Sequence, residues 1–337
     1  MGILFCFQDT RVIGNCQLRK CRGCGLFFLA KRGANGYDIA KGGGLMYELM
    51  RAGPCSYYLE CPAKIGIYLA DGHNAYLIDG GSDATAAKKA LQTLERSGWQ
   101  LAGVLITHSN ADHIGGNHLL QSRTGCRIYS SGAEAAITEN PILSPSFVYG
   151  GFPCGDLRHK FLLAQPSRVT PFSDASFPQE VEIIPLPGHC FEMVGFRTPD
   201  DTVYLADCVC SEQTLNKYAV TFLYDIAAHL ETLDKVEAMQ AAMFVPAHAG
   251  ATEDIAPLVR ANRARIYELA EFILAQAKNG AHFEQILQAI FNHYDQRMTL
   301  EQYALAGNTV RSYLSWLKEQ RRLRVDIVDS LPVWSAV

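Results

Sequence analysis

No apolar run in this chain approaches the ~18 residues needed to cross a bilayer, so no membrane association is expected. The opening Ile3-Leu4-Phe5-Cys6-Phe7 is too short for a signal-peptide core, and no basic segment or small-residue cleavage site frames it. Strong charge of either sign is also missing. The formal net charge is −4, which gives no global basic field to attract nucleic acid or anionic lipid. A disulfide framework is lacking too: the 11 cysteines are an odd count at scattered spacings, which fits reduced thiols better than paired ones. A cytoplasmic location is therefore the expectation.

What is present is ordinary for a globular protein: 48% hydrophobic and 19% charged residues over a length of 337. That length holds one large domain plus a smaller one. Residues 1–45 differ from the rest, with Cys6, Cys16, Cys21, Cys24 and the run Lys41-Gly42-Gly43-Gly44. Cys21-Arg22-Gly23-Cys24 resembles half a zinc site, but no second Cys/His pair follows at finger spacing. Lys-Gly-Gly can be encoded by a purine-rich bacterial ribosome-binding site, and here it precedes Leu45-Met46. Met46 is thus expected to be the true start, and 1–45 a translated leader.

From Tyr47 the patterning is regular. Ser56–Glu60, Ile65–Ala70 and Asn74–Ile78 read as strands, the last two joined by Asp71-Gly72-His73-Asn74. Residues 83–97 have helical spacing and stop at Gly98. A strand over 101–106 follows, then a helix to about Gln121, a strand at Cys126–Tyr129 and a short helix over 132–139. Residues 140–180, rich in Pro, Gly, Ser and Phe, suggest a lid or binding loop. Strands at 181–186 and 202–206, helix 229–240, strand 242–246 and a helix over about 253–278 complete an α/β alternation. The remainder, 281–337, reads as three helices (Phe283–Tyr294, Thr299–Ala306, Asn308–Gln320) and a β-ribbon, a small winged-helix-like module. Its Arg311, Lys318, Arg321, Arg322 and Arg324 make a modest basic footprint, read as a packing or solvated face ahead of a nucleic-acid surface.

Chemistry concentrates in "VLITHSNADHIGGN", residues 104–117, where a buried strand runs into His108, Asp112 and His113 and then Gly115-Gly116. Imidazole and carboxylate groups on one rigid turn suit zinc and similar divalent ions. Other candidate ligands also stand at the ends of apolar strands: Asp79 in LIDGG, His189 in PGH, Asp207 in LAD and His248 in PAH. Cys190 and Cys208 directly follow two of them. Adjacent residues of an extended chain point to opposite sides, so both are expected to be buried, inert thiols.

These five motifs, in this order, resemble the metallo-β-lactamase superfamily over roughly residues 47–280. The resemblance implies a four-layer αββα sandwich spanning 46–280, with metal held at one edge of its sheets. It implies a first metal position with His108, Asn110 and His189. A second would take Asp112, His113 and His248, with Asp207 between the two and Asp79 orienting a ligand. Residue 110 departs from the family's pattern, which has His there. Asn offers only a neutral amide oxygen, a poorer zinc ligand than imidazole. Three readings stay open: one tight ion in the second position, two ions with the first weakened, or a ligand-binding protein without catalysis. Zinc is expected, with Mn2+ or Fe2+ as alternatives.

The implied activity is hydrolysis of a small ester, thioester or lactone, as in glyoxalase II and lactonase members. The metal would lower the pKa of a water from 15.7 toward ~7 and polarise the scissile bond. Asp112 would orient that water or take its proton. A phosphodiester hydrolase acting on nucleic acid is the less favoured alternative, and antibiotic cleavage is not expected. Tyr149, Phe152 and Arg158 in the 140–180 segment are candidate substrate contacts. The expected partner is a small-molecule substrate, with a homodimer left open.

Overall fold

The computed structural model describes residues 7–13, 16–21, 27–31, 46–218 and 220–337. Contacts divide the chain into two units, Met1–Gly44 and Leu45–Val337. In the first, β1 (Phe7–Ile13), β2 (Cys16–Cys21) and β3 (Phe27–Lys31) form an antiparallel sheet. The translated leader and the half zinc site at Cys16, Cys21 and Cys24 lie outside what the described residues address.

The second unit opens with β4 (Glu48–Arg51), β5 (Ser56–Glu60), β6 (Ile65–Leu69) and β7 (Asn74–Ile78), an antiparallel meander. Its β6–β7 turn is set by Asp71, whose carboxylate accepts from the backbone N–H of His73 at 3.0 Å and of Asn74 at 2.7 Å. Helix α1 (Ala84–Arg96) is capped by Asp83, which accepts from the N–H groups of Thr85 and Ala86. It buries Ala86, Ala87, Ala90 and Leu94 against the sheet. Then come β8 (Gln100–Leu105), α2 (Ala111–Ile114), α3 (Asn117–Thr124), β9 (Arg127–Ser130), α4 (Gly132–Glu139), α5 (Leu143–Tyr149) and β10 (Thr170–Pro171). Strands β7 to β10 run parallel, completing a seven-stranded sheet in the order β10-β9-β8-β7-β6-β5-β4.

The second sheet, β11-β12-β13-β14, is made of β11 (Glu182–Pro185), β12 (Val194–Arg197), β13 (Thr202–Cys210) and β14 (Met243–His248). Between and after its last strands stand α6 (Glu212–Lys217), α7 (Ile226–Glu237) and α8 (Ala256–Gln276). Tyr58, Tyr68, Ile78, Leu105, Tyr129, Phe196, Tyr204 and Val245 fill the space between the sheets. One apolar cluster lies under α1 and a larger one under α7 and α8. The layers are therefore αββα, as expected.

Asp200, in the β12–β13 turn, staples the two sheets. Its carboxylate accepts from the Cys55 N–H at 2.8 Å and from the hydroxyls of Ser56 and Thr198 at 2.7 Å. Burial pushes the Asp200 carboxyl up, but those donors outweigh it and bring it down to about 2. Asp200→Ala is expected to cost about 1–3 kcal/mol, because buried donors lose their acceptor, read as a fall in the urea midpoint. A depressed carboxyl stabilises above its unfolded value. The wild-type advantage should therefore be complete above 3.8 and fade as pH falls through about 2.

The C-terminal residues form α9 (Phe283–His293), α10 (Leu300–Glu319) and a ribbon of β15 (Leu323–Val328) and β16 (Leu331–Ala336). The expected second and third helices are one. Gly307, read as a break, is buried inside α10 beside Phe283, and tertiary packing outweighs its ~1 kcal/mol propensity cost. Several of the basic side chains here have local partners. Arg311 lies 3.9 Å over the Phe283 ring, Arg322 reaches Glu271 at 2.7 Å and Arg324 reaches Asp326 at 3.4 Å. The 140–180 segment holds α5 and a 3-10 turn at Gly155–Leu157. It is anchored by Val148, Leu157 and Leu162 on Ala304 of α10. Among the described residues no helix is long and apolar enough to cross a membrane.

Candidate metal centre

Four strands build the site, and β13 continues past Asp207 where the sequence suggested that it ended. Asp79 follows β7, His108 follows β8, Asp207 stands inside β13, and His248 ends β14. At Ala206 the β13–β14 register shifts, and Ala206 itself adopts φ +49. This irregularity accompanies the turn of Asp207 into the cluster. Asp79 adopts φ +66, a left-handed conformation uncommon outside glycine that aspartate tolerates better than most residues. The loops after β7 and after α2 meet backbone to backbone: Gly80 N–H donates to His113 O at 2.8 Å and Gly116 N–H to Gly81 O at 3.0 Å. A side chain on Gly115 or Gly116 would collide with the carbonyls of Ser82 or Gly80, which is why that pair is glycine.

The imidazoles are oriented from behind. Asp79 accepts from the Thr107 N–H at 2.8 Å, from the Thr107 hydroxyl at 2.8 Å and from His113 Nδ1 at 2.7 Å. Having given its only proton to Asp79, the Thr107 hydroxyl accepts from His108 Nδ1 at 3.0 Å. His248 Nδ1 donates to the Pro62 carbonyl at 2.8 Å. Each of these three rings therefore turns Nε2 inward.

Inward, Asp207 is the shared neighbour. Its carboxylate lies 3.1 Å from His113 Nε2, 3.2 Å from His248 Nε2, 3.5 Å from His189 Nε2 and 3.8 Å from His108 Nε2. Asp112, half-buried, lies 3.4 Å from His248 Nε2 and 3.8 Å from His113 Nε2. Donor atoms of Asp112, His113, Asp207 and His248 fall within 4.8 Å of one another. So, separately, do those of His108, His189 and Cys190. His108 Nε2 is buried with no hydrogen-bond partner, and His113 Nε2 and Asp207 Oδ1 have only each other, at 3.1 Å. Orphaned polar atoms are costly in a core, and a nitrogen- and carboxylate-rich set of this kind fits a divalent cation.

Electrostatics agree with that division. Burial pushes His113 and His248 down, but Asp207 and Asp112 outweigh it and hold both well above the usual histidine value. Burial and the neighbouring His113 charge keep His108 well below it. Asp207 and Asp112 are pushed up by burial, yet the imidazoles hold both carboxyls well below the usual range.

Sequence reasoning found most of these residues and missed others. Asn110 does not face the cluster as a free amide. Its nitrogen lies 3.0 Å from His189 Nε2, and its oxygen lies 3.5 Å from the Cys190 thiol, which donates to it. Cys208 is buried outside both donor groups, as expected, but Cys190 is not outside them. The alternation argument needs an extended chain, whereas residues 187–192 are turns and bends with Gly188 at φ +114. Glu134 of α4, which had no motif, accepts from the Ser109 N–H at 2.8 Å, the Ser109 hydroxyl at 2.5 Å and the Glu192 N–H at 3.1 Å. It thereby ties the 108–113 turn to the 189–192 loop.

An aromatic wall was missed as well. Phe191 packs on Tyr224 and Phe147 with ring centroids 4.5 and 4.9 Å apart, and Phe222 lies 5.6 Å from His189. Tyr149, Phe152 and Arg158 are exposed, with Arg158 over the Phe152 ring at 5.4 Å. No hydrogen bond, ion pair or ring contact joins them to the histidine cluster.

The model of the metallo-beta-lactamase superfamily matches residues 66–248. The chain belongs to that superfamily. Curated relatives include the hydroxyacylglutathione hydrolase of Nitrobacter hamburgensis, 39% identical over 66 residues, which are 18% of this chain and 26% of that protein. That of Rhizobium meliloti is 30% identical over 142 residues, 40% of this chain and 46% of that protein. The chain thus spans between about a quarter and a half of the length of these relatives. A beta-lactamase domain protein from Burkholderia ambifaria superposes with TM-score 0.67 at 16% identity, covering 89% of this chain and 97% of that one. A metallo-beta-lactamase family protein from Thermus thermophilus gives TM-score 0.64 at 16% identity, covering 84% of this chain and 99% of that one. Both likenesses are to the superfamily's fold. The superfamily match and the two donor groups together support divalent-metal binding at this centre.

Proposed function

We propose that this chain is a zinc-dependent hydrolase of a small ester, thioester or lactone. The observation that carries the reading is the convergence of Asp112, His113, Asp207 and His248, whose donor atoms lie within 4.8 Å of one another around the buried His113 and Asp207. These four residues would hold the principal ion, with His108 and His189 on the other side of Asp207. A divalent ion there supplies Lewis acidity, polarising the scissile carbonyl and making hydroxide available near neutral pH.

The chain's own residues do the rest. Asp79 fixes His113 through Nδ1 and, through Thr107, fixes His108. Asp112, the most exposed member of the four, orients the attacking water and accepts its proton. Phe191, Phe222 and Tyr224 give an apolar flank suited to an acyl group rather than a charged phosphate. The relatives named hydroxyacylglutathione hydrolase favour the thioester within this class.

The test is a panel of p-nitrophenyl acetate, an acyl thioester and a labelled single-stranded RNA, each with stripped and zinc-loaded protein. Loaded protein should cleave the thioester and stripped protein should not. RNA cleavage alone, or no cleavage of any of the three, overturns the reading. Zinc at a hundredfold its Kd should also add about 2.7 kcal/mol of stability. That corresponds to a rise of roughly 4 °C in Tm for a unit of this size.

A further inference from the structure

The first donor group has two imidazoles, His108 and His189, and Asn110 where its superfamily relatives are expected to carry a third. We infer that the Cys190 sulfur takes the place of that missing imidazole, so that His108, His189 and Cys190 form a nitrogen–sulfur metal position beside the principal one. The inference rests on the metal-centre reading above and adds a ligand to it.

Three independent observations carry it. The donor atoms of His108, His189 and Cys190 lie within 4.8 Å of one another, and all three residues are buried. His108 Nε2 points into this space with no hydrogen-bond partner. The third is the turn that aims the sulfur. Gly188 sits at φ +114 and its N–H donates to the Cys190 carbonyl at 3.2 Å, a tight bend that breaks the alternation of an extended chain and is compatible with the His189 and Cys190 donor atoms lying together. That bend is held by the N–H groups of Tyr224 and Asp225, both donating to the Gly188 carbonyl at 2.9 Å, and a side chain at 188 would strike the backbone of His229 in α7. Asn110, by contrast, offers its amide nitrogen to His189 Nε2, and an amide nitrogen has no lone pair for a metal.

The chemistry follows from the donors. On binding, the sulfur–metal bond forms as the thiol proton leaves to solvent, so each ion bound releases that proton. A soft thiolate biases the position toward zinc or cobalt over manganese or magnesium. Asn110 then serves as a neighbour that accepts a hydrogen bond in the free protein and must yield when the ion arrives.

Cobalt(II) titration of the full stripped chain tests this, read by the visible ligand-field bands and the near-ultraviolet thiolate-to-cobalt charge-transfer band. Wild-type protein should show both. Cys190→Ser should lose the charge-transfer band and one ion per chain while keeping the ligand-field bands of the principal position. The double variant Asn110→His with Cys190→Ser should regain the ion without the sulfur band, which also shows that the altered chain is folded. A charge-transfer band undiminished in Cys190→Ser, or ligand-field bands in wild-type protein without a sulfur band, overturns the inference alone. Wild-type protein that binds no cobalt overturns the metal-centre reading and this inference with it.

Discussion

Asp207→Ala is expected to lower metal-dependent hydrolysis on the order of 10³-fold, the equivalent of several kcal/mol of transition-state charge stabilisation. Asp207 is the one carboxylate whose oxygens approach all four inward imidazoles, at 3.1 to 3.8 Å. Its loss removes the group that joins the two donor sets. Metal affinity should fall by more than the ~10–100-fold typical of losing an outer partner of a ligand. Equilibrium dialysis with elemental analysis reads the affinity, and initial rates on the thioester read the activity. A variant that keeps its metal and a rate within tenfold of wild type would remove Asp207 from the centre. The pH dependence has a definite sign. Asp207 and Asp112 hold His113 and His248 protonated above the usual histidine value, so a cation must displace those protons. Metal binding in wild-type protein should weaken as pH falls.

Asp112→Asn should be nearly as severe, cutting kcat by about 10²–10⁴-fold at saturating metal. The amide keeps the size of the side chain but loses the charge that faces His248 and His113. Because Asp112 is half-buried where the other three ligands are more enclosed, it is the member of the set best placed to reach a water or a substrate. The measurement is kcat with zinc held far above its dissociation constant, so that lost affinity is not mistaken for lost chemistry. A rate within tenfold of wild type under that condition would show that Asp112 only holds the ion.

Much of the fold was legible because its elements obey local rules. Asp83 before the 84–96 helix, Gly98 after it, and the Asp71-Gly72 turn are chemical signals that the structure uses directly. The elements that were missed obey non-local ones. Val194–Arg197 is too short for a pattern and is a strand only because β11 and β13 flank it. Gly307 reads as a helix break until Phe283 and Arg311 close over it. The 140–180 segment reads as a lid or binding loop, and its seat shows only in three dimensions, where α10 packs against Val148, Leu157 and Leu162.

By itself the sequence determined which donors exist, Asp79, His108, Asp112, His113, His189, Asp207 and His248, and that they cluster near the ends of apolar strands, although β13 runs on past Asp207 to Cys210 and Asp112 and His113 lie in α2. That much follows from strand patterning and the chemistry of each side chain, both local properties. Only the tertiary structure decided which donors share a cation-sized space and which way each one points. Glu134 joins the Ser109 turn to the loop of Glu192, which is itself 58 residues from Glu134 in the chain, Phe147 and Phe222 come to the site from distant segments, and Cys190 turns inward on a glycine bend braced by α7. Direction and convergence depend on backbone dihedrals and packing between remote segments, and no spacing of letters encodes those.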